Sequence, residues 1–429
     1  MLFLIRNDSG TMRTYFILIG ILTLSFGQLA AQRACFSASY LQNEMRNDPS
    51  FESRVNNIET FIQRQAATAQ SPATTARVEG VKIKIPVIVH ILYHLPGENI
   101  SDEQVLNQID MLNKCYRRTN PDTVNTPSVF KSRAADCEIE FQLAVSDPKK
   151  RNTSGIIHKY TPIAYWEPND QMKFSAQMGD DAWDYQNYLN IWVCNIKKVA
   201  GYSSVPGGPA DKDGVAIDYT VFGTNGVSGY ELGRTAVHEV GHWLGLKHTW
   251  GDAYCGDDLV DDTPKQGDYT TGCPSGVHLS CSNAPTGDMY MNYMDYTNDA
   301  CVNLFTDGQK ARMRTLFAPG GARYSILSSY AFNQPLINES PLPDDSPKWL
   351  HPQLYPNPAT NELILDVAYD IRWIGRIISV LNVNGQQAMQ VQITSKSQKM
   401  DVSKLKPGLY FISVKKEDGS FIKQKFIKM

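Results

Sequence analysis

Between His238 and His248 the chain reads His-Glu-Val-Gly-His-Trp-Leu-Gly-Leu-Lys-His, and no other stretch limits its fold so tightly. Histidines four apart stack on one face of a helix, so His238 and His242 can offer two imidazole nitrogens to a single ion. A continuing helix would carry His248 away from that ion. Gly245 answers this, because glycine readily takes the left-handed conformation that ends a helix and turns the chain aside. His248 then becomes a third ligand. Glu239 stands beside the metal without holding it, where a carboxylate can take the proton of a water that zinc has made acidic. The plain alternative is a buried helix that merely carries histidines. By typical residue usage, all five fixed positions match by chance in a chain of this length with a probability on the order of 10⁻⁵, which sets that alternative aside.

Further on, Asn292-Tyr293-Met294-Asp295-Tyr296 has the form of a methionine turn. Met294 would lie as an apolar floor under the histidines without ligating, and Tyr296 would face the ion with its phenol free to donate to an oxyanion. Alone, the pentapeptide reads as an ordinary tyrosine-rich turn; its weight comes from the histidine motif before it. Together HEVGHWLGLKHTW, CGDDLVDDTP, MNYMDYTNDAC and LFTDGQKARM resemble the pappalysin family of metzincins, in particular its bacterial cytophagalysin-like branch. IPVIVHILYH, DEQVLNQIDMLNKCYRRTN and YLNIWVCNI carry the likeness well upstream.

The resemblance implies an α+β metzincin catalytic domain, with a twisted mixed sheet, an active-site helix and a cleft between two subdomains. It implies Zn2+ on His238, His242 and His248, Glu239 as base, Met294 as floor and Tyr296 as oxyanion partner. It also implies structural Ca2+ at the acidic run from Gly256 to Pro264, with Asp258 and Thr263 as ligands and the Val260 carbonyl beside them. Clustered oxygen donors suit calcium, although the run taken alone reads as a solvated acidic loop. Relatives that cut before arginine or lysine place an acidic residue directly before the last cysteine of the methionine-turn loop. Here Ala300 stands in that place with Asp299 adjacent. The departure implies an uncharged pocket floor and a weaker basic preference, with Asp299 as the residue that could take over.

Eight cysteines in an exported chain suggest disulfides. Cys255, Cys273, Cys281 and Cys301 cluster between the third histidine and the last helix of the domain, and four cysteines allow three pairings. The resemblance implies the crossed one, Cys255 with Cys281 and Cys273 with Cys301. Cys115, Cys137 and Cys194 sit in apolar context and read as buried thiols. Cys35 could occupy the open metal position and hold the enzyme latent, as the resemblance implies, although Phe36 follows it where glycine is expected.

Export is read from Met12-Arg13-Thr14, the apolar run from Tyr15 to Phe26 and the small residues after it, which have the order of a secretory signal. Residues 1–31 are therefore expected to be a signal peptide and 32–77 a propeptide. In the propeptide Phe51, Val55, Ile58 and Ile62 recur at helical spacing, and Ala66 to Ala76 reads as a cleavable linker. The catalytic domain spans 78–332. Val81, Ile83, Ile85, Val87, Val89 and Ile91 alternate as a strand, on which His90 and His94 stand about 13 Å apart and cannot share an ion. Ser101 starts a capped helix striped by Val105, Ile109, Leu112 and Tyr116. Strands follow at Ile139 to Ala144, Tyr188 to Cys194 and Val215 to Tyr219. A helix from about Tyr230 to Leu244 carries the first two histidines, and Thr306 with Gln309 caps a last one.

After a proline-rich acidic linker, 333–350, residues 351–429 read as a small all-β Ig-like sandwich, with hairpin turns at Asn384-Gly385 and Asp418-Gly419. YPNPATNELIL, KPGLYFISV and the terminal KFIKM resemble the C-terminal sorting domain of the type IX (Por) secretion system.

A net charge of −3 gives no basic field for nucleic acid, and no apolar stretch of the mature chain is long enough to span a bilayer. The reading that follows is a secreted zinc-dependent metalloendopeptidase, acting on proteins or peptides and exported through the type IX machinery. Two alternatives stay open at this point: a zinc amidase acting on cell-wall peptides, and a surface-binding protein with a vestigial zinc site. The intact Glu239 argues against the second, since a structural site needs no base.

Overall fold

Strand β1, Ile83–Tyr93, organises the catalytic domain. Its sequence alternates, yet nearly every residue is buried on both faces of the sheet, as expected of a strand with parallel neighbours and layers above and below it. Ile85, Val87, Val89 and Ile91 join the main core, while Ile88 and Leu92 point into two smaller clusters behind it. β1 pairs in parallel with β2 (Ile139–Leu143), β3 (Ile156–Tyr160) and β4 (Leu189–Cys194). The sheet continues through β6 (Val215–Asp218), parallel to β4, to β5 (Gly201–Ser203), antiparallel at its edge. This computed structural model describes residues 35–69, 82–224, 226–337, 353–367, 374–415 and 421–429. The expected signal peptide, most of the expected linkers and the Asp418-Gly419 turn lie outside them.

Three helices of the catalytic domain matter for the site. In α3, Asp102–Tyr116, Ser101 accepts from the Gln104 N–H and the stripe Val105, Ile109, Leu112 and Tyr116 is buried. The active-site helix, Arg234–Trp243 and here α4 in chain order, starts four residues later than its sequence suggests. Gly233, at φ 69°, is left-handed and blocks an earlier start. The last helix, α5 (Asp307–Thr315), opens with the expected capping box of Thr306 and Gln309. Met313 is buried within it, and Leu316 and Phe317 pack on the core just past its end.

Upstream of β1 lie α1 (Ser37–Asn47) and α2 (Pro49–Ala69). Phe51 and Ile62 are buried and Ile58 packs against the main core. Helix α2 runs four residues into the stretch expected to be linker, Ala66 to Ala69, because alanine continues a helix at little cost. His90 is fully buried, hydrogen-bonded to Asp180 and Asn190 and stacked on Trp192, so it is a structural residue.

The C-terminal residues form two antiparallel sheets. One has the order β10 (Gln387–Gln392), β9 (Ile377–Asn382), β12 (Gly408–Lys415), β13 (Phe421–Lys428). The other has the order β11 (Ser397–Asp401), β8 (Glu362–Asp366), β7 (Gln353–Tyr355). Leu363, Leu365, Ile378, Val380, Val402 and Phe426 fill a core of their own between them. The Asn384-Gly385 turn joins β9 to β10 as expected.

Candidate active site

Helix α4 ends at Trp243, Gly245 takes φ 81°, and the chain turns so that His248 comes back beside His238 and His242. The Nε2 atom of His242 lies 3.1 Å from Nε2 of His238 and 3.1 Å from Nε2 of His248. Each ring is oriented from its other side. Nδ1 of His238 meets the Tyr293 carbonyl at 2.7 Å, Nδ1 of His242 meets the Leu246 carbonyl at 2.9 Å, and Nδ1 of His248 meets the Asp252 carboxylate. A carbonyl accepts only, so the Nδ1 atoms of His238 and His242 carry their protons, and burial holds His238 well below the ordinary imidazole range and His242 down to about 3. Lone pairs of His238 and His242 thus face each other at 3.1 Å with no proton between them, and His248 Nε2 lies equally close to His242. That arrangement repels itself unless a cation lies among the nitrogens, and three buried imidazoles suit zinc.

The floor of the site needs a missing side chain. A Cβ on Gly241 would come within 2.5 Å of Met294 Sδ, so glycine at this point of α4 lets the methionine turn close beneath the helix. Met294 is fully buried and its turn is held by the Asn292 side chain, which accepts from the Met294 N–H and pairs with Gln309 of α5. Tyr296 stands 5.0 Å from His248 and 5.7 Å from His238, ring to ring. Disulfides join Cys255 to Cys281 and Cys273 to Cys301, while Cys115, Cys137 and Cys194 are buried free thiols.

Segment 35–37 lies across this centre. Cys35 Sγ is 3.6 Å from His242 Nε2 and joins the three histidines in one potential metal-binding group. The Cys35 carbonyl accepts from the Tyr296 hydroxyl at 3.2 Å, and the Ser37 hydroxyl donates to Glu239 Oε2 at 2.7 Å. Glu239 is buried, and burial pushes its carboxyl up to about 7 against the lowering pull of hydrogen bonds from Ser37 and Cys35. The segment also extends the sheet. Cys35 forms a parallel bridge to Gly201 on the outer edge of β5, and the Ser203 N–H donates to Ser37 Oγ at 2.8 Å.

Asp299 is buried, and its carboxylate accepts from the N–H groups of Leu232 and Arg234 at 2.9 and 3.1 Å, at the start of α4. Ala300 beside it is exposed. In the acidic run, the Thr263 hydroxyl has three acceptors within reach: both Asp258 carboxylate oxygens, at 2.9 and 2.8 Å, and the Val260 carbonyl at 2.7 Å. Burial pushes the Asp258 carboxyl up to about 7, against the hydrogen bonds from Thr263 and the Val260 N–H.

Sequence reasoning did not find Asp252, Ser37 or β5. An acidic residue four positions after the third histidine was the available signal for Asp252. Ser37 gave none, since its partner Glu239 is 202 positions away.

A buried three-histidine centre with an adjacent glutamate, a methionine turn beneath and an edge strand alongside defines a metallopeptidase of the metzincin type. Comparison with known proteins gives the same class. The family model described as pregnancy-associated plasma protein-A matches residues 173–318, and the secretion system C-terminal sorting domain matches 353–429. An extracellular metalloprotease of Verticillium alfalfae is 43% identical over 284 residues, covering 63% of this chain and 87% of that protein. Another, from Pyricularia oryzae, is 46% identical over 131 residues, covering 27% of this chain and 46% of that protein. A Tannerella forsythia promirolysin mutant superposes with a TM-score of 0.63 at 42% identity, covering 70% of this chain and 98% of that one. The chain belongs to the pappalysin family of metallopeptidases and carries a type IX sorting domain. It is a secreted or cell-surface zinc metalloendopeptidase, and its relatives favour neither the amidase nor the vestigial-site alternative. Among the described residues no helix is long and apolar enough to cross a membrane.

Proposed function

We propose that His238, His242 and His248 hold the zinc, that Glu239 is the general base and acid, and that Tyr296 supports the oxyanion. The observation that carries this reading is the convergence of three imidazole nitrogens whose opposite ring nitrogens are already committed. Zinc bound there supplies a Lewis acid for the scissile carbonyl and lowers the pKa of water. Glu239 takes the proton of the attacking water as its oxygen adds to the carbonyl carbon, then delivers that proton to the nitrogen as the C–N bond breaks. Tyr296, which donates to the Cys35 carbonyl here, turns the same hydroxyl toward the developing oxyanion. An extended peptide adds to the outer edge of β5, as segment 35–37 does. Met294 keeps the floor apolar.

In the same reading residues 32–77 are a propeptide and 78–332 the catalytic domain. The propeptide engages three catalytic elements at once: Cys35 at the histidines, Ser37 on Glu239 and the Cys35 carbonyl on Tyr296. Ser37 supports latency beyond a thiol alone, because it holds the base in a hydrogen bond. Calcium on Asp258, Thr263 and the Val260 carbonyl steadies the loop that carries both disulfides. The sandwich at 351–429 is the part recognised by the type IX machinery. Metal analysis of purified full-length protein tests the centre: stoichiometric zinc in the wild type and its loss in His242→Ala are expected. Undiminished zinc in that variant would place the metal elsewhere.

A further inference from the structure

Gly201 of β5 faces the active site, since a Cβ there would lie 3.2 Å from Glu239 Cγ. Its neighbour Tyr202 therefore points to the opposite face of the sheet, where it packs with Met172 and Trp192. Two aromatic side chains of the propeptide lie on the Tyr202 ring: Phe36 edge-on at 6.5 Å and Tyr40 at 5.1 Å. The Tyr40 hydroxyl donates to Asp170 Oδ2 at 2.8 Å, and the Tyr202 hydroxyl meets Asp170 Oδ1 at 3.1 Å. Lys173 Nζ lies 2.9 Å from Asp170 Oδ1 and 5.6 Å from the centre of the Tyr40 ring. Asp170 and Lys173 are 1% and 0% exposed. Lys212 completes the group, reaching Asp170 at 3.5 Å and Glu44 of α1 at 2.9 Å.

Only Phe36, Tyr40 and Glu44 of this group belong to the propeptide. Their departure leaves an aromatic wall, Tyr202, and a recessed carboxylate oxygen that has lost its hydroxyl donor and keeps Lys212 at 3.5 Å. A substrate hydroxyl would restore the shorter hydrogen bond. A strand added to β5 presents a side chain to the same Tyr202 face, beside this place. Cys35 bridges to Gly201, so the next residue along an added strand turns its side chain to the Tyr202 face, as Phe36 does. A side chain that fills the place needs a flat ring for Tyr202 and a hydroxyl at its far end for Asp170. Phenylalanine meets the first need and not the second.

We propose that the seat of Tyr40 becomes, in the activated enzyme, a substrate subsite that takes a tyrosine side chain of a peptide lying along β5. This rests on the reading that the propeptide leaves and that β5 receives substrate. Two measurements on the zinc-loaded, processed enzyme test it. The first is kcat/KM for peptides that differ only in carrying Tyr, Phe or Leu at successive positions around one cleaved bond. At one fixed position Tyr should exceed Phe by about tenfold, mainly through KM, as a hydrogen bond to a charged acceptor gives. Tyr202→Leu should lower kcat/KM for the Tyr peptides more than for the Leu peptides, and an equal loss in both would overturn the subsite. Cleavage of the series with Tyr equal to Phe everywhere overturns the subsite alone, whereas no cleavage of any peptide overturns the peptidase reading beneath it. The second measurement needs no turnover: calorimetric titration with a synthetic peptide of residues 35–47 and with its Tyr40→Phe form. About a tenfold weaker Kd for the second is expected, and equal affinities would show that the seat does not outlast the propeptide.

Discussion

Each of the three converging imidazoles is oriented by an atom on the far side of its ring. Two of these partners are backbone carbonyls, of Tyr293 and Leu246, which substitution cannot remove. The third is the Asp252 side chain on His248 Nδ1, with Trp250 stacked on the same ring at 4.3 Å. Asp252→Ala should therefore leave the fold intact and weaken zinc affinity by about 10–100-fold, as loss of such an orienting partner does. Competition with a graded chelator reads that change directly; an unchanged affinity would mean that packing on Trp250 alone fixes the ring. The convergence of the three histidines was legible in the sequence because their spacing and Gly245 set it. The role of Asp299 was not, since nothing in a linear sequence says that a carboxylate after the methionine turn is spent on the N–H groups that open α4.

The elements divide in the same way. Long strands and capped helices announced themselves: the β1 apolar run and the Thr306-Gln309 box lie where their residue patterns put them. β5 did not, because three residues are too few to show a period and its strand character comes from pairing with β6. The docking of α2 was equally hidden. Glu59 forms a bidentate pair with Arg312 of α5, whose Nε donates to the Gly245 carbonyl at 2.7 Å, so α2 is tied to the turn that delivers His248. Burial would raise the Glu59 carboxyl, but the Arg312 guanidinium outweighs it and holds the group below its usual value of 4.5. A depressed carboxylate contributes stability that is fully present above its unfolded pKa and is lost as pH falls through the folded one. Acidification from pH 5 downward should accordingly loosen the docked propeptide, seen as falling protection of α2 in hydrogen exchange. Glu59→Gln should show weaker protection at pH 6 and a flatter acid response; a response identical to wild type would remove Glu59 from the docking.

At the level of the molecule, the order of segments separates tasks that chemistry keeps apart. The catalytic core and the C-terminal sandwich have distinct hydrophobic clusters, and none of the core residues of one belongs to the other. Truncation after Leu350 is therefore expected to yield a protein with normal peptidase activity after processing that remains in the periplasm, as fractionation of producing cells would show. Its appearance in the medium would contradict the sorting role. The sequence displayed this division through its proline-rich acidic stretch and the change from mixed to purely alternating patterns.

The claim on which the rest depends is that Glu239 acts on the substrate's water and is no ligand. It is tested most directly by measuring zinc content and peptide hydrolysis together on processed wild-type enzyme and on Glu239→Ala freed of its propeptide by an added protease. The account predicts equal zinc in both and hydrolysis reduced by about 10²–10⁴-fold in the variant. Wild-type turnover with full zinc, or loss of the zinc itself, would contradict it.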